Sequence, residues 1–221
     1  MKVLVIGASR GIGLEFVRQY RADGAEVTAT ARDDAGLQRL RSLGATAFLL
    51  DVADAASASG LARQIEGGGF DVAIVNAGVT AARGGGLDAP GEADFDRVMR
   101  TNVLGPMRVL PQIAEALAPG GRIAVLSSRM GSIGSRTAAG SSLYRASKAA
   151  LNSVLKDASL VLGAKAICVA FHPGWVKTDM GGSGADIDVA TSVGGMRRVI
   201  VGLAPAQSGS FLNFDGTPIP W

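Results

Sequence analysis

Cysteine and histidine are all but missing from this chain: Cys168 and His172 are each the single residue of their type among 221. One cysteine excludes an internal disulfide, and its place in the apolar run AICVAF reads as inert packing. With one histidine, one cysteine and scattered carboxylates, a transition metal has no ligand set, so no metal site is expected. His172 stands at the end of an apolar run before Pro173 and reads as a satisfied structural group rather than a catalyst. Charge is sparse as well. Charged residues make up 19% of the chain, the net charge is +3, and basic residues such as Arg18, Arg21, Arg32, Arg39, Arg41 and Arg63 form no run. Nucleic acid is therefore not expected as a partner, while one basic pocket for a phosphate stays open. No apolar run is long enough to span a bilayer, and MKVLVIGAS breaks into glycine too soon for a secretory signal. The expected compartment is the cytoplasm, with no membrane partner.

What the chain does have is a 48% hydrophobic content, ample for one buried core, so a single domain over 1–221 is expected. KVLVI, EVTATA, TAFLL, DVAIV, RIAVLS, AICVAF and SFLNF read as seven strands, apolar enough to be buried on both faces. Between them GLEFVRQYRADG, AGLQRLRSLG, AASASGLARQIEGGG, EADFDRVMRTNVLGPMRVLPQIAEALAPGG and YRASKAALNSVLKDASLVLG show helical spacing. Such alternation implies a doubly wound α/β fold of Rossmann type, a parallel sheet of about seven strands with helices on both faces. GGGF and ARGGGLDAPGE read as loops. MGGSGADIDVATSVGG is the candidate mobile segment, within a substrate-loop region at about 179–198.

The first strand runs directly into GASRGIG, with Gly7, Gly11 and Gly13. Glycines between a first strand and a first helix let the backbone approach a pyrophosphate, and the free N–H groups of the helix start attract its charge. The same turn also serves as plain structural punctuation. At the end of the second strand, TARDD leaves Arg32, together with Arg10 of the glycine turn, able to pinch a 2′-phosphate, as in NADP sites. Asp33 and Asp34 keep NAD open, since either lies roughly 20 positions past the motif, but both read as the cap of the next helix.

In SLYRASKAALN, Tyr144 and Lys148 stand four residues apart and share one face of a helix. One reading is a half-buried aromatic beside a surface lysine. The other is a proton donor, its phenol lowered from the ordinary ~10 by the fixed cation.

Taken together, GASRGIG, Asp51-Val52, VNAG ending at Gly78, TNVLGP around Asn102, LSSRMGS around Ser128, YRASK and HPGWVKT resemble the short-chain dehydrogenase/reductase family over nearly the whole chain. The ending FLNFDGTPIPW and the wording YRASKAALN are most similar to the C-factor and sniffer-type carbonyl reductase branch. The resemblance implies Tyr144 as general acid/base, Lys148 on the nicotinamide ribose, Ser128 on the substrate carbonyl and Asn102 holding a relay water. It implies cofactor contacts at Gly7, Ser9, Arg10, Gly11, Ile12 and Gly13, at Arg32, at Asp51 and Val52, and at Asn76, Ala77 and Gly78. Further contacts are implied for Tyr144, Lys148, Pro173, Gly174, Val176 and Thr178. Met130, Trp175 and Met180 are expected around the substrate, with Trp221 either there or covering core. Ala31 stands where NAD users carry an acid, and Arg32 where NADP users often carry arginine, so NADP(H) is expected over NAD(H).

The activity implied is NADPH-dependent reduction of a ketone or aldehyde. A dinucleotide-binding signalling protein of C-factor type is the alternative; a sugar-nucleotide epimerase would need a larger carboxyl-terminal domain. Two departures stand out. The gap from Ser128 to Tyr144 is longer than usual for the family, with the additions in SRTAAGSS, which implies a reshaped loop over the carbonyl site and keeps Ser127 as a lesser alternative for the serine. The chain is also short, which implies a reduced lid after Thr178. A homodimer through the long tyrosine-bearing helix is expected, unless its apolar residues face the sheet.

Overall fold

All seven predicted strands occur, and they pair in parallel in the order β3-β2-β1-β4-β5-β6-β7. They are β1 (Lys2–Ile6), β2 (Glu26–Ala31), β3 (Thr46–Leu49), β4 (Phe70–Val75), β5 (Leu117–Leu126), β6 (Ala166–His172) and β7 (Ser210–Asn213). This computed structural model describes residues 1–81 and 88–221. Most of the expected loop ARGGGLDAPGE lies outside them. No helix among the described residues is long and apolar enough to cross a membrane.

Strand periodicity divides the apolar residues between two cores. Val3 and Val5 of β1 face one side of the sheet, with Phe16 and Tyr20 of α1 (Gly11–Ala22), Leu37 and Leu40 of α2 (Asp34–Ser42) and α8 (Val189–Gly202). Leu4 and Ile6 face the other, with α4 (Leu61–Ile65), α6 (Gly105–Glu115) and α7 (Ser142–Leu162). Cys168 is buried in this second core. Asp33 caps α2, its Oδ1 accepting from Gly36 N at 2.6 Å, as the sequence implies.

Three helical expectations change. AASASGLARQIEGGG forms two short helices, α3 (Ala55–Ser59) and α4, meeting at Gly60. The long run from Glu92 breaks into α5 (Glu92–Met99), a π turn over Arg100–Leu104, and α6, after which β5 has already begun at Leu117. The third change is α8, a helix over the second half of the segment expected to be mobile. Asp188 caps it, accepting from Thr191 N at 2.6 Å, and Val193, Met196 and Ile200 are fully buried at helical spacing. Glycines hid the pattern, yet they are what lets α8 dock: a Cβ at Gly195 would lie 2.7 Å from Phe214 O. Arg197 also spans from α8 to α1, over the Tyr20 ring at 4.3 Å and onto Asp23.

On α7 the apolar residues largely face inward. Leu151 and Leu155 are buried in the second core, Val154 and Ala158 pack against it, and Leu160 and Val161 are the large apolar residues left exposed. The apolar outer face on which the expected dimer rested is thus reduced to these two side chains.

Candidate active site

The carboxyl ends of β1, β2, β4, β5 and β6 open onto one cleft of about 430 Å³. Its floor is the glycine turn. Gly7 has a φ of +83°, its N–H donates to Thr30 Oγ1 at 2.9 Å, and its carbonyl accepts from Asn76 Nδ2 at 2.6 Å. Beneath it Gly13 must be glycine, because a Cβ there would overlap Gly7 O and lie 2.7 Å from Asn76 Nδ2. The helix that starts at Gly11 has no side-chain cap and no acid in its first turn, so its free N–H groups are left for an anion.

Of the expected cofactor residues, Gly7, Ser9, Arg10, Gly11 and Ile12 line this cleft, with Arg32 at the β2 end. Asp51 and Val52 follow β3, and Asn76, Ala77 and Gly78 follow β4. Tyr144, Lys148, Pro173 and Thr178 complete the far wall. Gly174 and Val176 do not lie here; they line a second cleft. Arg10 and Arg32 are both exposed, and Arg10 Nη1 pairs with Asp179 Oδ2 at 2.8 Å. Arg39, which the sequence did not single out for the site, donates from Nε to Ser9 O at 3.0 Å and ties α2 to the glycine turn.

The second cleft, of about 540 Å³, shares Tyr144, Pro173, Thr178 and Met180 with the first. Ser128, Met130 and Trp175 line it, and so do Ser135, Arg136, Thr137 and Ala138 from the extended loop. Trp221 stacks instead on Phe211, with centroids 5.5 Å apart, as the core-covering alternative has it.

Tyr144 sits in the first turn of α7, and Lys148 Nζ lies 5.8 Å from its ring centroid. Gly131 lets the turn after Ser128 press against this helix, since a Cβ there would be 2.7 Å from Lys148 C. Lys148 is 4% exposed and donates to Leu126 O at 2.8 Å. Burial lowers its pKa to about 8. Burial also raises the Tyr144 phenol above its ordinary value, and the neighbouring Ser128 hydroxyl offsets only part of this. The direction is opposite to the expected lowering, because burial of the phenol dominates, while the Lys148 ammonium is hydrogen-bonded to a backbone carbonyl.

Asn102 lies in the π turn, a distortion often found at functional sites. Its Oδ1 accepts from Val79 N at 2.8 Å and its Nδ2 donates to Ser147 Oγ at 3.0 Å. A Cβ at Gly78 would stand 3.4 Å from Asn102 Oδ1 and 3.5 Å from Lys148 Nζ, so the two polar groups converge there. Ser127 lines both clefts, with its hydroxyl donating to Asn152 Oδ1 at 2.6 Å. His172 departs from its expected role: its Nδ1 has no hydrogen-bond partner among the described residues, and burial, with the Arg129 charge nearby, lowers its pKa to about 4.

The family model for short chain dehydrogenases matches residues 1–186. Over 160 residues the chain is 44% identical to the C-signal protein of Myxococcus xanthus, covering 70% of this chain and 94% of that one. The carbonyl reductase Sniffer of D. melanogaster has a TM-score of 0.89 at 31% identity, covering 100% of this chain and 99% of that one. For the NADPH-bound carbonyl reductase from chicken fatty liver the values are 0.85 and 36%, covering 100% and 98%. With a glycine turn, a Ser–Tyr–Lys cluster and a match over most of its length, the chain belongs to the short-chain dehydrogenase family, in the branch of the C-factor and carbonyl reductases.

Proposed function

We propose that the chain reduces a ketone or aldehyde to the alcohol with NADPH, reversibly, Tyr144 acting as general acid/base. The observation that carries this reading is that Tyr144 lies on the wall shared by the two clefts, with Ser128 lining the second of them and buried Lys148 one helical turn away. The glycine turn, the open start of α1 and Asp51 fit a dinucleotide, and NADPH when bound supplies the hydride.

The protein's own work is positioning and proton transfer. Ser128 and the phenol of Tyr144 hold the carbonyl oxygen and stabilise the charge that grows on it. Tyr144 then donates its proton to that oxygen. A raised pKa keeps the phenol protonated near neutral pH, as an acid must be, while Lys148 with a pKa of about 8 remains largely charged there. Asn102, beside Lys148 near Gly78, serves to hold a relay water. Arg32, with Arg10 once it releases Asp179, favours the 2′-phosphate of NADP, and Ala31 offers no acid to the ribose of NAD. The same reading takes 1–221 as one domain, about 179–198 as its substrate-loop region although 189–198 belong to α8, a cytoplasmic location, and a homodimer whose apolar contact on α7 is Leu160 and Val161.

The 44% identity to C-signal favours a second reading, a dinucleotide-binding signalling protein with little turnover. NADPH consumption with a panel of simple ketones and aldehydes separates the two. Steady reduction abolished in Tyr144→Phe supports the enzyme, and NADPH binding without reduction of any carbonyl supports the binder.

A further inference from the structure

From Ala116 to Lys156 the chain carries no aspartate or glutamate but six basic residues: Arg122, Arg129, Arg136, Arg145, Lys148 and Lys156. Folding brings three of them to one place, because Arg129, Arg136 and Arg145 all line the second cleft beside Ser128 and Tyr144. No carboxylate among the described residues lines that cleft, and 82–87 contains none in its sequence. Arg10, Arg18, Arg97, Arg100 and Arg197 each have an acidic partner. Among the described residues Arg145 Nε donates only to Gly140 O, at 2.8 Å. The side chains of Arg129 and Arg136 make no hydrogen bond or ion pair among the described residues.

Three like charges around one cleft repel each other, and an oxyanion between them relieves that repulsion. Their supporting turn is fixed. Ser132 Oγ donates to Pro220 O, and Gly134 N donates to Trp221 O at 2.9 Å, so the guanidinium groups stand on an anchored segment and their forks suit carboxylate or phosphate oxygens.

We infer that the carbonyl substrate carries an oxyanion tail, a carboxylate or a phosphate ester, held by Arg129, Arg136 and Arg145 while its carbonyl meets Ser128 and Tyr144. This rests on the carbonyl-reductase reading and names its substrate class. The long Ser128–Tyr144 segment then acts as a specificity element, since it supplies Arg129 and Arg136.

The test pairs each anion with a neutral analogue: pyruvate with methyl pyruvate, levulinate with methyl levulinate, and dihydroxyacetone phosphate with dihydroxyacetone. In at least one pair the anion should show a kcat/KM about tenfold or more above its neutral partner, the low end of what a charge-assisted contact gives because these arginines are partly solvated. Which pair responds distinguishes carboxylate from phosphate. Arg136→Gln should cut the anion-to-neutral ratio by about tenfold, and added salt should shrink the ratio too. Neutral analogues reduced as well as the anions in every pair, or a ratio unmoved in both Arg129→Gln and Arg136→Gln, would overturn the inference and leave carbonyl reduction standing. If no carbonyl is reduced, the enzymatic reading fails instead, and calorimetric titration of the NADPH-loaded protein with the three anions decides the anion site: saturable binding weakened in Arg136→Gln supports it, and binding unchanged in the variant or absent from the wild type overturns it.

Discussion

On the dinucleotide side of Tyr144, the groups that shape the cleft are tied to one another: Asn76 to Gly7, Thr30 to Gly7, Arg39 to Ser9, and the Asp51 carboxylate to Ala53 N at 2.9 Å. On the other side Arg129, from a short 3-10 turn, and Arg136 and Trp175, from loops, are exposed, Trp175 to 51%. The first wall is a set of turns at strand ends, where Gly7 and Gly13 leave no room for a methyl group. The second is carried largely by two irregular segments, on which the side chains of Arg129 and Arg136 make no hydrogen bond or ion pair among the described residues while Trp175 Nε1 donates to Gly181 O at 2.8 Å. A cofactor site shared across a family is built where the backbone itself makes the surface, whereas selectivity for one substrate is placed where side chains can change without disturbing the sheet.

That contrast predicts a graded set of outcomes. The largest belongs to Tyr144, where the two walls meet. Tyr144→Phe keeps the ring to pack, so the fold and NADPH affinity should persist while carbonyl reduction falls by ~10²–10⁴-fold; a variant that binds NADPH and keeps more than about a tenth of the rate would mean the phenol is not the acid. Next comes Gly13→Ala, which forces a methyl into Gly7 O and Asn76. It should cost about 1–3 kcal/mol of stability and weaken NADPH binding, whereas Thr137→Ala on the exposed loop should stay within about 0.5 kcal/mol. Thermal melts of the two variants side by side, with equal losses, would erase the contrast.

Smaller again is Arg32→Ala, which should raise the KM for NADPH about tenfold more than that for NADH; equal changes would reject the 2′-phosphate assignment. The smallest effect concerns Lys148, whose folded pKa is depressed to about 8 from 10.5 by burial. The unfolded chain then binds more protons as pH rises above 8, so stability should increase in that direction. Relative to Lys148→Met, the wild type should gain on the order of 1 kcal/mol between about pH 8 and 9.5. Cys168 and Tyr144, both raised, act in the opposite sense at higher pH, and the comparison with the variant cancels them. A flat difference in denaturant midpoints would show that Lys148 is not desolvated in solution.

Much of the dinucleotide wall was legible in the sequence because its signals are local. Alternating apolar runs define strands, glycines at a strand end define a tight turn, and Asp33 announces the start of α2. The wall of the second cleft was less legible. Ser135, Arg136, Thr137 and Ala138 have no periodicity to mark them, and the acid-free stretch from Ala116 to Lys156 acquires meaning only when its arginines are seen around one cleft. Helix α8 was masked by Gly194 and Gly195, residues that weaken a helix in isolation, of which Gly195 is required here by the close approach of Phe214. His172 reads as an ordinary strand-end residue until its unpartnered Nδ1 and its position beside Arg129 are known.

By itself the sequence determined the seven strands, the glycine turn, the two-faced sheet and the Tyr144–Lys148 spacing, since each depends on residues within a few positions of one another. Tertiary structure alone decided that Asn102 meets Ser147 across 45 positions, that the phenol is raised and Lys148 lowered, and that Arg129, Arg136 and Arg145 surround one cleft. Desolvation and charge crowding are properties of what packs around a group, and the packing partners here come from distant strands and loops whose approach no local pattern encodes.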